Sequence, residues 1–285
     1  MERALAKAKS TMNEPRPPKP FTPNFQKIWD SHAKTKLPPF PTALPPDKQQ
    51  QLKAVQKKRG VVSKFAREQV NETDISRLGP KQWLNDECIN FYGALILGRS
   101  EASKENAPAV NGNASKSKIP SQPLNCWYFS TFFWPKLFKD GYEAARLAKW
   151  TKKFDIFEKD IVLIPINHGN THWTSAAINF RKKRIESYDS MAVYHKMVFK
   201  HLRGYLDSEH RNKKKKPFDF TGWEDYSPDD VPQQENGYDC GVFTCCFLEA
   251  ISRGEDAFRF TQQHMPYLRQ RLTVEIGTAQ LLEPQ

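Results

Sequence analysis

Three stretches in the middle of the chain read as strands. DIVLIPIN (160–167) is an apolar run of strand length, and WTSAAINF (173–180) and RIESYDS (184–190) follow it across the basic turn Arg181-Lys182-Lys183, a pattern that predicts a hairpin. Upstream, VVSKFAREQV reads as strand and NETDISRL as a short helical turn. In WLNDECINFYGALILGRS, Asn85 predicts an N-cap, Asp86 and Glu87 fill the first turn, and Cys88, Ile89, Phe91, Tyr92, Leu95 and Ile96 form the apolar face of a helix. CWYFSTFFWPKLFKDGYEAARLAKW is dense in aromatics and then helical, and such a stripe is more often core than a base-stacking platform. A helix is expected from about 191 to 206, with Val193, Met197, Val198, Leu202 and Leu206 on one side. PFDFTGWEDYSP reads as strand, and QHMPYLRQRLTVEIGTAQLL as an amphipathic closing helix. Helices and strands mix without strict alternation, so the expected class is α+β rather than a doubly wound sheet.

Two stretches lack this periodicity. Residues 1–50 hold ten prolines and few aliphatics, which cannot bury enough surface to offset ordering entropy. A Pro-rich, basic, disordered tail is therefore expected over 1–58 and a folded domain over 59–285, although DKQQQLKAVQKKRG could begin a helix leading into it. Residues 100–121, rich in Ser, Asn and Ala, read as a mobile inserted loop. The chain has 285 residues and a formal charge of +12, but 13 Lys/Arg against 4 Asp/Glu fall within residues 1–60. The remainder is near balance, so any nucleic-acid contact is expected of the tail and not of the folded domain. RNKKKK (211–216) reads as a solvated loop or an import signal. No apolar run approaches a membrane span, and the five cysteines are odd in number without a C-x-x-C pair, so neither a disulfide framework nor a thiolate metal site is expected.

The candidate chemistry centres on PQQENGYDCGVFTCCFLEAISR (232–253). Its Asn236-Gly237 pair signals a reversal, and the residues after Cys240 make a helix apolar nearly all round, closed by Gly254. A cysteine at such a helix start sits beside unpaired N–H groups that favour thiolate. The competing reading is a small buried apolar residue. Among the histidines, His172 stands at the entry of a strand, and Asp189 ends its hairpin partner, so the two can meet as base and orienting carboxylate, or simply as a structural pair. His168 and His172 share an H-x-x-x-H spacing but have no third ligand, so no metal and no cofactor are expected. Gln234, six residues before Cys240, could return its amide toward the sulfur as an oxyanion donor beside the Cys240 backbone N–H, or be a plain loop residue.

Taken together, HWTSAAINF, IESYDS, PQQENGYDCG, WLNDECINFY and FSTFFWPKL closely resemble the Ulp/SENP cysteine proteases, over roughly residues 60–280. That family belongs to the adenain-type branch of the papain-like enzymes and processes SUMO and related modifiers. The resemblance implies a papain-like α+β fold, with a central mixed sheet flanked by helices and the nucleophile at the N-terminus of a buried one. It implies His172 as base, Asp189 as orienter, Gln234 as oxyanion donor and Cys240 as nucleophile. It also implies Trp83 and Trp173 as walls that clamp the modifier's Gly-Gly, and Asp86 as a residue that binds a modifier arginine. Flat aromatic walls leave a slot that only residues without Cβ can thread. The expected function is cleavage after the C-terminal Gly-Gly of SUMO, with SUMO and its conjugates as partners. The alternatives are another ubiquitin-like modifier or a catalytically silent binding module. A monomer in the nucleus, its periphery included, or in the cytoplasm is expected.

Overall fold

The chain was studied as a computed structural model that describes residues 39–105, 124–255 and 257–283. The expected tail up to residue 38 and the stretch 106–121 of the expected insertion lie outside the described residues.

Strand β4 (Ile161–His168) explains its own apolar run by where its side chains go. Successive side chains point to opposite faces of a strand. Ile161 and Leu163 enter one core layer, and Val162, Ile164 and Ile166 enter the other. A sheet covered on both faces leaves no place for alternating polar residues. β4 lies in a five-stranded sheet with β3 (Cys126–Tyr128), β5 (His172–Asn179), β6 (Arg184–Tyr188) and β7 (Glu224–Tyr226), in spatial order β3-β4-β5-β6-β7. The two outer pairings are parallel and the two inner ones antiparallel. The hairpin predicted from β5 and β6 is present, with Ser175 opposite Tyr188.

One face of the sheet carries α3 (Asp86–Glu105), α6 (Cys240–Ser252) and α7 (Met265–Thr278), and the other carries α4 (Phe133–Ala144) and α5 (Lys196–Lys214). Upstream stand α1 (Pro46–Lys57), a hairpin of β1 (Val61–Phe65) and β2 (Glu68–Asn71), and the single turn α2 (Glu72–Ser76). The expected α+β arrangement, a mixed sheet between helices, is the one observed. Asn85 caps α3 as expected, its side-chain oxygen accepting the Cys88 N–H at 3.2 Å. In α6 every residue but Glu249 is buried, and Gly254, at φ +81°, ends it. The Ser175 hydroxyl of β5 donates to Thr244 O of α6 at 3.2 Å, which seats this helix on the strand that begins with His172.

Four expectations are corrected. The folded body begins well before residue 59: Leu44 and Val55 are buried, and Val55 packs so tightly on α7 that a Cβ at Gly277 would lie 2.3 Å from its Cγ1. Within α1 only Val55 is buried, with Leu52 partly buried beside the core, and the lysines and glutamines around them obscure this in the sequence. Residues 100–105 continue α3 and are not loop, because Ser100 is buried, donating to Leu124 O at 2.8 Å and accepting from Cys126 N at 2.9 Å. The helix expected from 191 starts at Lys196, since Asp189 captures the preceding turn through Met191 N at 2.8 Å and Ala192 adopts φ 54°. The run 211–216 is the end of α5 and its cap. Lys213 Nζ donates to Thr151 O and Phe154 O at 2.9 Å each, and Lys214 pairs with Asp155. Among the described residues no helix is long and apolar enough to cross a membrane.

Candidate active site

Two strand ends and one helix start converge. His172 opens β5, Asp189 follows the last residue of β6, and Cys240 is the first residue of α6. All three are buried, at 1%, 3% and 2% exposure. His172 Nε2–H donates to Asp189 Oδ1 at 2.6 Å, the length of a charge-assisted bond. That leaves Nδ1, a buried atom with no closed hydrogen bond, and the Cys240 side chain is the other group coupled to this imidazole. The local hairpin therefore brings imidazole and carboxylate together, and the docking of α6 supplies the sulfur.

The electrostatics follow from this placement. Burial works against a charged His172, but Asp189 and then Cys240 outweigh it and raise its pKa to about 10. Burial also works against a charged Asp189, yet His172 and His195 hold it well below the usual carboxylate range. An imidazolium that persists to such a pH is the proper partner for a thiolate. The remaining cysteines have no such neighbour. Burial, joined by nearby carboxylates, pushes the Cys88 and Cys246 thiols up, and burial does the same for Cys245. The helix start adds free donors: the first backbone bond of α6 runs from Phe243 N to Asp239 O at 3.0 Å, so the Cys240, Gly241 and Val242 N–H groups precede it.

Gln234 is firmly held in this corner. Its Oε1 accepts from the Ser190 hydroxyl at 2.7 Å, its backbone N–H donates to Ser190 O at 2.8 Å, and one side-chain N–H donates to Asn236 O at 2.5 Å. A carboxamide carries two N–H donors, so one is left for an incoming oxygen. The expected reversal at Asn236-Gly237 is built by Asn236: its Oδ1 accepts from Tyr238 N and Asp239 N, and Gly237 does not take a positive φ.

Two residues absent from the sequence reading hold the assembly. Ser190, the residue next to Asp189, ties Gln234 to the end of β6. Arg269 of α7, only 5% exposed, binds Asp239 Oδ1 through Nε at 2.9 Å and reaches Gly79 O at 2.9 Å, Gln82 O at 2.8 Å and Tyr238 O at 3.0 Å. It thus fastens the turn before Cys240 to the loop before Trp83. In sequence it is one of two arginines on an amphipathic helix, with no signal that it faces inward.

Leu84 ties Trp173 to the segment that carries Trp83. Trp173 Nε1–H donates to Leu84 O at 3.1 Å, and Leu84 presses on Gly241, where a Cβ would lie 2.8 Å from Leu84 Cβ. Trp83, half-buried, and Trp173, 4% exposed, are thereby placed beside the start of the helix that Cys240 opens. Asp86 stands half-buried in the first turn of α3, one step along the same segment. Among the described residues no group of three His, Cys, Asp or Glu is arranged to hold a metal.

Residues 82–281 match the Ulp1 protease family, C-terminal catalytic domain. A sentrin-specific protease of Caenorhabditis elegans is 42% identical over 214 residues, 75% of this chain and 28% of that protein. Sentrin-specific protease 2 of Mus musculus is 37% identical over 224 residues, 78% of this chain and 34% of its own length. The chain thus spans about a third of the length of these relatives. In fold it is similar to the catalytic domain of the Ulp1-like SUMO protease of Chaetomium thermophilum (TM-score 0.70, 23% identity, 86% of this chain and 94% of that one). It is likewise similar to the Ulp1 protease domain solved in complex with Smt3, the yeast ortholog of SUMO (TM-score 0.65, 24% identity, 83% and 96%). With its family match covering most of the chain and its helix-borne cysteine set against a strand-end histidine and carboxylate, this chain belongs to the Ulp1 protease family.

Proposed function

We propose that this domain is a cysteine-type peptidase and isopeptidase that cuts after the C-terminal Gly-Gly of SUMO, in precursor maturation, in release from target lysines, or in both. The observation that carries the reading is the buried Asp189–His172 pair with Cys240 coupled to the same imidazole. The sentrin-specific names of its relatives support the choice of modifier.

In this mechanism His172 takes the Cys240 proton and rests as imidazolium beside a thiolate. The modifier's Gly-Gly lies between Trp83 and Trp173, where a side chain would not pass, with Asp86 receiving an arginine of the modifier. The sulfur attacks the carbonyl carbon, and the oxyanion is met by the Cys240 N–H and the remaining N–H of Gln234. His172 then gives its proton to the leaving amine, which is either a backbone nitrogen or a lysine Nε. Water, deprotonated by the same imidazole, cleaves the thioester and restores the thiol. Asp189 keeps the ring aimed throughout and remains ionised. The domain acts as a monomer, without cofactor and without binding nucleic acid, in the nucleus or the cytoplasm.

A fluorogenic SUMO C-terminal conjugate tests this directly. The parent should hydrolyse it and Cys240→Ser should reduce turnover by at least ~10³-fold, given that removing a nucleophile leaves only binding and oxyanion stabilisation. Equal rates from the two would refute the mechanism. Vinyl-sulfone probes carrying different ubiquitin-like modifiers would show whether SUMO is the one selected.

A further inference from the structure

Asp189 is held by two histidines. Its Oδ1 accepts from His172 and from Met191 N, and its Oδ2 accepts from His195 Nε2–H at 2.8 Å. His195, 6% exposed, is the residue just before α5. Its ring lies flat against that of His168, with centroids 4.3 Å apart and planes 17° from parallel. His168 closes β4, directly opposite His172 in the register, and its Nε2 is bonded to Thr174 Oγ1 at 2.9 Å. Burial, then the neighbouring His195 and His172, pushes the His168 pKa well below 6.5, so its ring is a neutral platform. The H-x-x-x-H spacing in the turn before β5 thus serves a stack, with His168 behind and His172 in front.

Resting on the proposed thiol mechanism, we propose that His195 is a positioning residue for this reaction: its N–H pins the second oxygen of Asp189, and its stacking on His168 fixes the pin. A carboxylate held through one oxygen can pivot about its Cβ–Cγ bond, and here the pivot would swing the His172 ring away from the sulfur. A buried Oδ2 without a donor would also be an unpaired charge site. With His195 in place, both oxygens are satisfied and the carboxylate plane is set. The groups that face His195 are Asp189 beyond β6, His168 at the end of β4 and, through Asp189, His172 at the start of β5. The arrangement gives a chain of Thr174, His168, His195, Asp189 and His172 that ends at Cys240.

Two substitutions in the full chain separate the donor from the ring. His195→Phe keeps a flat ring on His168 but has no N–H, whereas His195→Gln keeps a donor without the ring. kcat and KM are measured on the fluorogenic SUMO conjugate, normalised to titrated active sites, alongside the pH dependence of Cys240 alkylation by iodoacetamide. His195→Phe should lower kcat roughly 10- to 100-fold, the worth of a bond to a charged group, with KM nearly unchanged and the alkylation profile shifted. His195→Gln should recover most of the loss. If His195→Phe matches the parent in both assays, or if both variants lose equally, the proposed pin is wrong. A parent inert to both reagents would overturn the thiol mechanism and this inference with it, an outcome distinct from an active parent indifferent to residue 195.

Discussion

Replacing Arg269 with methionine should show how far the placement of Cys240 depends on a residue much later in the chain. The guanidinium is 5% exposed and binds the Asp239 carboxylate together with the carbonyls of Gly79, Gln82 and Tyr238. Methionine fills similar volume but offers no donor. The change leaves Asp239, 2% exposed, with only Asn236 Nδ2 at 2.7 Å and Gln262 Nε2 at 2.8 Å, and strips partners from several backbone oxygens. Removing one member of a buried ion pair costs about 3–5 kcal/mol, because the other charge stays behind unpaired. Against a total stability of about 5–15 kcal/mol this is a large fraction, and it corresponds to a fall in Tm of about 10 °C for a domain this size. Urea unfolding and a thermal melt would give the stability term, and kcat normalised to titrated sites would give the effect on Cys240, which follows Asp239 in the chain. Adding Asp239→Asn removes the stranded charge, so the double variant should lose less than the two single losses summed. A loss below about 1 kcal/mol for Arg269→Met, or strict additivity in the double variant, would refute the reasoning.

Other outcomes follow from the site. Gly241→Ala would gain up to about 1 kcal/mol of helix propensity, but its Cβ would stand 2.8 Å from Leu84 Cβ, and overpacking of about 1–3 kcal/mol should win. A net loss in urea unfolding, with activity falling further because Leu84 O anchors Trp173, is expected; a gain in stability would contradict the clash. The raised His172 pKa sets the alkaline limb of kcat/KM near pH 10, above which the imidazolium is lost. The same proton contributes stability that is complete below about pH 6.5 and disappears as pH rises through about 10. Asp189→Asn can still accept from Nε2 but removes the charge, so the alkaline limb should move toward lower pH in a kcat/KM profile; an unmoved limb would mean that Asp189 does not set it.

The three middle strands of the sheet were legible because they are strand-length segments separated by turn residues, and β4 through β6 fall within a residue or two of their expected places, whereas β3 lay hidden in a stretch that reads as aromatic core and then helix. His172, Asp189 and Cys240 were legible because each occupies the end of such an element, where chemistry is commonly displayed. What escaped was held by contacts between distant segments. Arg269 looks like any helix-surface arginine until its partners at 79, 82 and 239 are folded around it. Ser190 reads as the end of a strand and His195 as part of a helix, and only the turn captured by Asp189 between them reveals otherwise. The start of the body was misplaced because α1 has few buried anchors among its polar residues, and its worth depends on a glycine more than two hundred positions later.

That glycine gives α1 a mechanical office. By lying against Gly277, and with Lys58 Nζ reaching Gly277 O at 3.3 Å, α1 braces α7 from outside. α7 in turn carries the guanidinium that steadies the turn ahead of the sulfur. On the proposed function, a version of the chain trimmed to residue 59 would therefore be a slower catalyst as well as a softer protein, since the missing segment is the far end of a lever whose near end rests on Cys240.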